Sequence, residues 1–348
     1  LVGDRPIHII NNPVANVPVS PVSPTPLASD GRGDELHIAV IGRLLFKQKN
    51  QGVLPEVARL CQERGVPVHF HIVGEGPDRE ALQLRIKETT TTPRFTLHGW
   101  LDNANSFARL APKLKGLRIL ALDMAGHGHS DHRPPGAGYT LPDYAHDVLQ
   151  VAQQMGWETF SLLGHSLGAI VSVIVAGALP DRINRLALID GLIPPLGEPE
   201  SAAERMGTAL QAQLAQSSKR KPVYAEMDRA VEARMKGVVA VSREAAELLA
   251  QRGLMPAPGG YTWRSDSRLT LASATRLTRA QALSFVNAIR CPAQLLVAEE
   301  GMLAQNKELL ASVPFEVTVL PGGHHLHLND EAGATSVADC FNRFFAVS

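Results

Sequence analysis

The feature of this sequence that most restricts its fold is a G-H-S-L-G motif at residues 164–168, which lies between two kinds of apolar segment. Residues 159–163 form a strand-like run, and residues 169–179 are small and apolar enough for a buried helix. A serine on such a sharp strand-to-helix turn stands clear of its neighbours, because the flanking glycines relieve the crowding. The helix N-terminus also stabilises negative charge nearby. We therefore predict that Ser166 is an activated nucleophile.

Strand-like and helix-like segments alternate through most of the 348 residues. This alternation predicts an α/β fold with a mainly parallel, doubly wound sheet, whose ligands bind at the carboxyl ends of the strands. We expect four parts: a Pro-rich arm or linker (1–35), a Rossmann-like β-α-β-α segment (36–94), the main α/β core (95–192 and 284–348) and a helical lid without a clear strand (193–283).

The composition excludes several classes of partner. Lys and Arg together number 34, as do Asp and Glu, so no charge surplus indicates binding to nucleic acid or an anionic membrane. No apolar run approaches the ~20 residues of a membrane span. The three cysteines are scattered and fit neither a disulfide framework nor a zinc spacing, so we expect reduced thiols in a cytoplasmic protein.

A serine hydroxyl becomes a good nucleophile only when a base takes its proton. We expect this base to be a histidine in a loop after the last strand. Residues 321–327 form such a loop and read P-G-G-H-H-L-H. His324 is the preferred base, with His325 and His327 as alternatives. We expect no metal here, because no Cys or carboxylate lies at a metal-ligand spacing from these histidines.

Acyl transfer also needs two backbone N–H groups that stabilise the developing oxyanion. One donor is expected from Leu167, the residue after the nucleophile. The other is expected from the loop after an earlier strand, where Gly99 permits a sharp turn and the N–H of Trp100 can point into the site.

The acid that orients the histidine is ambiguous in the sequence. An aspartate is expected two to four residues beyond the strand at 295–298, but Glu299 and Glu300 follow that strand instead. Asp190 ends the preceding strand and is placed equally well. A buried carboxylate at either strand end could hold the imidazole tautomer, so Asp190 and the two glutamates are all candidates.

With these residues in place, residues 95–348 resemble the serine hydrolase-like branch of the α/β-hydrolase fold family. The matching segments are residues 97–107, 123–130, 164–168, 261–264 and 322–328. The resemblance implies a serine nucleophile, a histidine base, a two-amide oxyanion hole, small-molecule ester or thioester substrates and no cofactor. The sequence departs from the family's pattern in two ways: it lacks the aspartate after Ala298, and the antiparallel hairpin that opens this fold is not recognisable.

Residues 7–95 instead resemble part of the nucleotide-binding half of two-Rossmann-domain sugar-nucleotide glycosyltransferases. The matching segments are residues 10–14, 40–44, 49–50 and 72–79. In that family the residues matching Arg43 and Lys49 bind the diphosphate, as paired cations should. The match ends near Phe95, before the acceptor half and the later acidic motif. This indicates a mosaic of two truncated pieces. The alternatives to a working serine hydrolase are therefore a catalytically inactive fusion protein and a glycosyltransferase fragment with residual nucleotide-sugar binding.

Overall fold

The computed structural model describes residues 8–10, 36–41, 53–55, 57–58, 68–73, 77–78, 80–82, 93–115, 117–216 and 221–346. The chain divides into two compact units. The first comprises Leu1–Pro93 and Lys115–Arg118, and the second comprises Arg94–Leu114 and Ile119–Ser348.

The first unit contains a parallel three-stranded sheet in its described part. Its strands are β1 (His8–Ile10), β2 (Leu36–Ile41) and β3 (Val68–Val73), in the order β1-β3-β2. The second and third of these confirm two strands predicted from the sequence. The first lies inside the predicted Pro-rich arm, in a short His-Ile-Ile run free of proline. The candidate phosphate-binding residues Arg43 and Lys49 lie outside the described residues.

The second unit is built on a six-stranded sheet in the order β11-β10-β7-β6-β4-β5. These strands are β4 (Pro93–Leu97), β5 (Arg118–Leu122), β6 (Phe160–His165), β7 (Ile183–Ile189), β10 (Ala293–Glu300) and β11 (Glu316–Gly323). Neighbouring strands from β4 through β6, β7 and β10 to β11 pair in parallel. The carboxyl ends of these five strands therefore meet at one edge of the sheet.

Helices surround this sheet, as the alternating sequence pattern predicts. They are α1 (Leu141–Gln154), α2 (Leu167–Ala178), α3 (Ala202–Gln216), α4 (Met227–Met235), α5 (Arg243–Gly253), α6 (Arg279–Asn287), α7 (Lys307–Ala311), α8 (Leu326–Asn329) and α9 (Glu331–Ala346). Short 3-10 turns lie at Ala104–Phe107, Ala111–Lys113, Pro180–Arg182, Pro199–Ser201 and Ser267–Thr270. No described helix is both long and apolar enough to cross a membrane.

The core lies where the central strands meet α2. Strand β6 is buried along its whole length, and residues 293–298 of β10 are buried as well. Strands covered on both faces read as continuous apolar runs, which is the pattern seen in both segments. Helix α2 is itself apolar on most of its surface, so it packs into the interior and carries no charged side chain.

The segment predicted as a helical lid contains a β-hairpin that the sequence analysis missed. Strands β8 (Leu254–Ala257) and β9 (Gly260–Trp263) pair in antiparallel register. The expectation of a lid without strands was therefore wrong. Gly259 and Gly260 both have positive φ, at 90° and 138°, and only glycine adopts such a turn readily. The P-G-G run at residues 258–260 is the signal that could have revealed it.

Because α2 approaches β4 closely, residue 168 must lack a side chain, and this requirement can be tested. A Cβ at this position would lie 2.0 Å from the carbonyl oxygen of Leu97, so Gly168→Ala must displace backbone. We expect this substitution to lower the free energy of unfolding by about 1–3 kcal/mol or more, measured by urea denaturation.

The matched control is Gly207→Ala in α3, where an added Cβ meets no atom within 4 Å. There alanine should be neutral or stabilise the protein by up to about 1 kcal/mol, because it favours the helix. Equal unfolding midpoints for the two variants would contradict the proposed close packing of α2.

Candidate active site

Ser166 occupies a strained turn between β6 and α2. Its φ is 51° and its ψ is −114°, a backbone conformation that residues other than glycine rarely adopt. The N–H of Ser166 donates to the carbonyl oxygen of Ile189 at 3.0 Å, which ties the turn to the end of β7. The side chain is partly exposed, whereas its neighbour His165 is fully buried. The turn therefore presents one hydroxyl at the carboxyl edge of the sheet.

Glycines around Ser166 allow three backbone segments to meet. A Cβ at Gly164 would lie 2.4 Å from the carbonyl oxygen of Gly168, and a Cβ at Gly191 would lie 2.5 Å from that of Ser166. Both positions lack the space for a side chain. The sharp turn predicted from the G-x-S-x-G pattern is thus held by backbone packing on both sides.

His324 and Asp190 come together at the same edge. His324 follows β11 and Asp190 follows β7, and both side chains are buried. The distance from His324 Nδ1 to Asp190 Oδ2 is 2.6 Å. A neutral imidazole that donates its Nδ1–H to this carboxylate has its lone pair on Nε2. The imidazole is therefore oriented as a proton acceptor would be.

The end of β10 and the loop after it surround the Asp190 carboxylate with backbone donors. The N–H of Met302 donates to Asp190 Oδ2 at 2.9 Å, and the N–H of Ala298 lies 3.3 Å from Oδ1. A Cβ at Gly301 would lie only 2.4 Å from Oδ2, so glycine is required for this contact. The segment in which an aspartate was expected thus provides space and donors for Asp190.

The other acid candidates, Glu299 and Glu300, end β10 with exposed side chains. Among the described residues, the carboxylate that hydrogen bonds to His324 is that of Asp190. The register of β10 against β11 shifts between Ala298 and Glu300, which interrupts the regular strand at the point where both glutamates become exposed.

The two alternative bases occupy different surroundings. His325 Nε2 lies 3.0 Å from Asp102 Oδ2, on a carboxylate other than Asp190. His327 lies on α8 with its ring 5.4 Å from that of Phe107, and burial lowers its pKa to about 3. His327 is therefore an interior neutral imidazole.

The two predicted oxyanion donors lie on segments that touch each other. The N–H of Leu167 belongs to the first turn of α2, whose N–H groups have no acceptor within the helix. The N–H of Gly168 donates to the carbonyl oxygen of His98 at 3.1 Å and so joins α2 to the loop that carries Trp100. The indole of Trp100 donates to the carbonyl oxygen of Leu269 at 2.9 Å, which fixes the direction of its side chain.

A buried polar cluster of Asp102, His165 and His325 lies beside these residues, and only His325 among them was predicted from the sequence, as an alternative base. Asp102 accepts a hydrogen bond from Arg234 Nη2 at 2.7 Å, and His165 Nε2–H donates to the carbonyl oxygen of His324 at 2.9 Å. Burial favours the neutral carboxyl, but the charge and hydrogen bond of His325 and the charge of Arg234 hold the pKa of Asp102 well below its ordinary value. Burial lowers the pKa of His165, as do the neighbouring histidines. These residues are far apart in the sequence, so no local sequence pattern predicts that they form a cluster.

Comparison with known proteins gives a consistent result. Residues 95–331 match the alpha/beta hydrolase fold family. A serine hydrolase-like protein of Dictyostelium discoideum is 31% identical over 290 residues, which cover 76% of this chain and 78% of that protein.

Solved structures extend this similarity. A hypothetical protein from Pseudomonas aeruginosa PAO1 is 67% identical, with a TM-score of 0.72, and the match covers 73% of this chain and 92% of that one. A thioesterase domain from the curacin biosynthetic pathway is 26% identical, with a TM-score of 0.62, covering 71% of this chain and 91% of that one.

These similarities are to hydrolases and do not support the glycosyltransferase resemblance of residues 7–95, which stays a prediction together with the mosaic origin inferred from it. The family match spans more than half of the chain, and the relatives align over most of their own length. The chain therefore belongs to the alpha/beta hydrolase fold family, and the match supports its assignment as a hydrolase.

Proposed function

We propose that this chain is a serine hydrolase that cleaves carboxylic esters or thioesters through an acyl-enzyme. The observation that carries the proposal is the 2.6 Å hydrogen bond between His324 and Asp190, at the sheet edge where Ser166 occupies a strained turn. A nucleophile, a base and an orienting acid are the groups that this chemistry requires.

In the first half of the proposed reaction, Ser166 Oγ attacks the acyl carbon while His324 Nε2 takes the hydroxyl proton. The Asp190 carboxylate stabilises the imidazolium that forms. The carbonyl oxygen becomes an oxyanion, which accepts hydrogen bonds from the N–H groups of Leu167 and Trp100. When the carbonyl re-forms, the alcohol or thiol leaves with the proton from His324, and the acyl group stays on Ser166.

In the second half, a water molecule takes the place of the leaving group. His324 removes a proton from this water as it attacks the acyl-enzyme, and a second oxyanion forms in the same position. Collapse of this intermediate breaks the bond to Ser166 Oγ, which recovers its proton from His324. The products are a carboxylic acid and the free enzyme, so no cofactor takes part.

Two lines of support favour acyl substrates. The buried Asp190 keeps Nε2 of His324 available as a proton acceptor, and the curacin relative is itself a thioesterase domain. Helix α3 of the lid is rich in alanine, leucine and glutamine and contains one methionine, a composition that suits an apolar acyl group.

The roles of the proposed nucleophile and base can be tested by removing each side chain. Ser166→Ala and His324→Ala should each reduce the kcat for p-nitrophenyl ester hydrolysis by about 10³-fold or more, because either change removes the activated hydroxyl. The measurement is the initial rate with short-chain and medium-chain esters, on variants whose cooperative unfolding has been checked.

Ser172→Ala and His146→Ala are the matched controls. Ser172 is a buried serine of the same helix α2, and His146 is an exposed histidine on α1. Both variants should keep rates within a few-fold of wild type. The proposal fails if Ser166→Ala, still folded, hydrolyses the esters as fast as wild type.

A separate prediction distinguishes the acid candidates. Asp190→Asn should lower kcat by about 10³- to 10⁴-fold with little change in KM, because an amide no longer favours the tautomer that leaves Nε2 free. Glu299→Gln and Glu300→Gln should leave the rate nearly unchanged, since both side chains are exposed. A large loss of activity in a glutamate variant, with Asp190→Asn near wild type, would assign the acid to the end of β10 instead.

A further inference from the structure

We propose that Asp102, His165 and His325 form a binding site for a divalent transition-metal ion such as Zn²⁺, separate from the proposed catalytic groups. One ligand atom from each side chain lies within 4.8 Å of the other two, and all three residues are buried. Two imidazoles and one carboxylate suit Zn²⁺, Co²⁺ or Ni²⁺ better than Mg²⁺ or Ca²⁺, which prefer oxygen ligands alone.

His165 provides the strongest observation. Its Nε2 lies 2.9 Å from the carbonyl oxygen of His324, and a carbonyl only accepts, so Nε2 carries the proton. The opposite atom, Nδ1, is therefore an acceptor with a lone pair. It is buried without a hydrogen-bond partner among the described residues, and the nearest carboxylate oxygen, Asp102 Oδ2, is 3.9 Å away. A metal ion would satisfy this atom. Metal-ligating histidines commonly donate their other N–H to a backbone carbonyl in this way.

Asp102 is oriented from its other oxygen. Arg234 Nη2 donates to Oδ1 at 2.7 Å, which leaves Oδ2 directed at the two imidazoles. This arrangement resembles the outer hydrogen bonds that position ligating carboxylates. The same guanidinium lies 3.5 Å from His325 Nε2, so its charge opposes a cation nearby. We therefore expect weaker binding than at a structural zinc site.

His325 must exchange a proton for the metal. Without metal, Nε2–H donates to Asp102 Oδ2 at 3.0 Å. On binding, that N–H bond breaks, the Nε2 lone pair forms a bond to the metal, and the proton moves to Nδ1 of the same ring, which stays a neutral imidazole. Nδ1 of His325 is buried and has no partner among the described residues, so it can hold that proton.

Gly99 bounds the cluster without filling it. A Cβ at this position would lie 2.9 Å from His165 Nδ1 and 3.0 Å from Asp102 Oδ2. Glycine thus keeps a side chain away from the two atoms that face each other across 3.9 Å. The carboxylate that the local sequence lacks comes from a residue 223 positions from His325. A bound ion would connect the loop after β4, the end of β6 and the loop after β11.

The test uses the untagged full chain, stripped with a chelator and dialysed. Calorimetric titration with ZnCl₂ should show one saturable class of site, and ZnCl₂ should raise the Tm, because the site forms only in the folded protein. His325→Gln should bind Zn²⁺ about 10- to 100-fold more weakly or not at all. The control His146→Gln removes an exposed histidine and should bind as wild type does.

X-ray absorption of the wild-type zinc complex keeps the test informative if His325→Gln fails to fold. Two imidazole ligands and at least one oxygen ligand are expected in its coordination shell. The proposal is overturned if stripped wild type binds no Zn²⁺, if His325→Gln binds it equally well, or if the spectrum shows no imidazole. Binding is measured without substrate, so none of these outcomes depends on the proposed hydrolysis.

Discussion

The arrangement of the candidate active site depends on the close approach of α2 to the ends of β4 and β6. Gly168 has no space for a Cβ because the carbonyl oxygen of Leu97 lies beside it, and its N–H bonds to the carbonyl oxygen of His98. This contact sets the first turn of α2 against the loop that carries Trp100. The N-terminus of a buried apolar helix and a neighbouring loop thereby face the same edge of the sheet, where negative charge is stabilised.

A second constraint determines which carboxylate meets the histidine. Asp190 has a φ of 41°, and its carboxylate lies between His324 and the backbone N–H groups of the loop after β10. Gly301 makes that position possible, because any side chain there would meet the carboxylate. The acid and the glycine are thus complementary features of two neighbouring strands, β7 and β10. We infer that Asp190, after β7, takes the place of the aspartate that was expected after β10.

The sequence predicted the alternating elements well because their cues are local. The strand expected at residues 159–163 is observed at Phe160–His165, and the helix expected at residues 169–179 is observed at Leu167–Ala178. The lid hairpin was missed because its short strands lie among long helix-like stretches. Asp190 and the glutamates at 299–300 could not be separated, since both sets follow strands that end at the same edge. Only the directions of the side chains distinguish these acids, and the sequence does not reveal those directions. The contact between Asp102 and His325 could not be predicted for the same reason.

The most direct measurement of the central claim is covalent labelling of the proposed nucleophile. The folded chain is treated with a fluorophosphonate, which phosphonylates activated serines, and the adduct is located by peptide mass spectrometry. We expect one adduct, on the peptide that contains Ser166. In the folded His324→Ala variant the same adduct should form more slowly. An unlabelled Ser166 in the folded wild-type chain, or an adduct confined to another serine, would contradict the account.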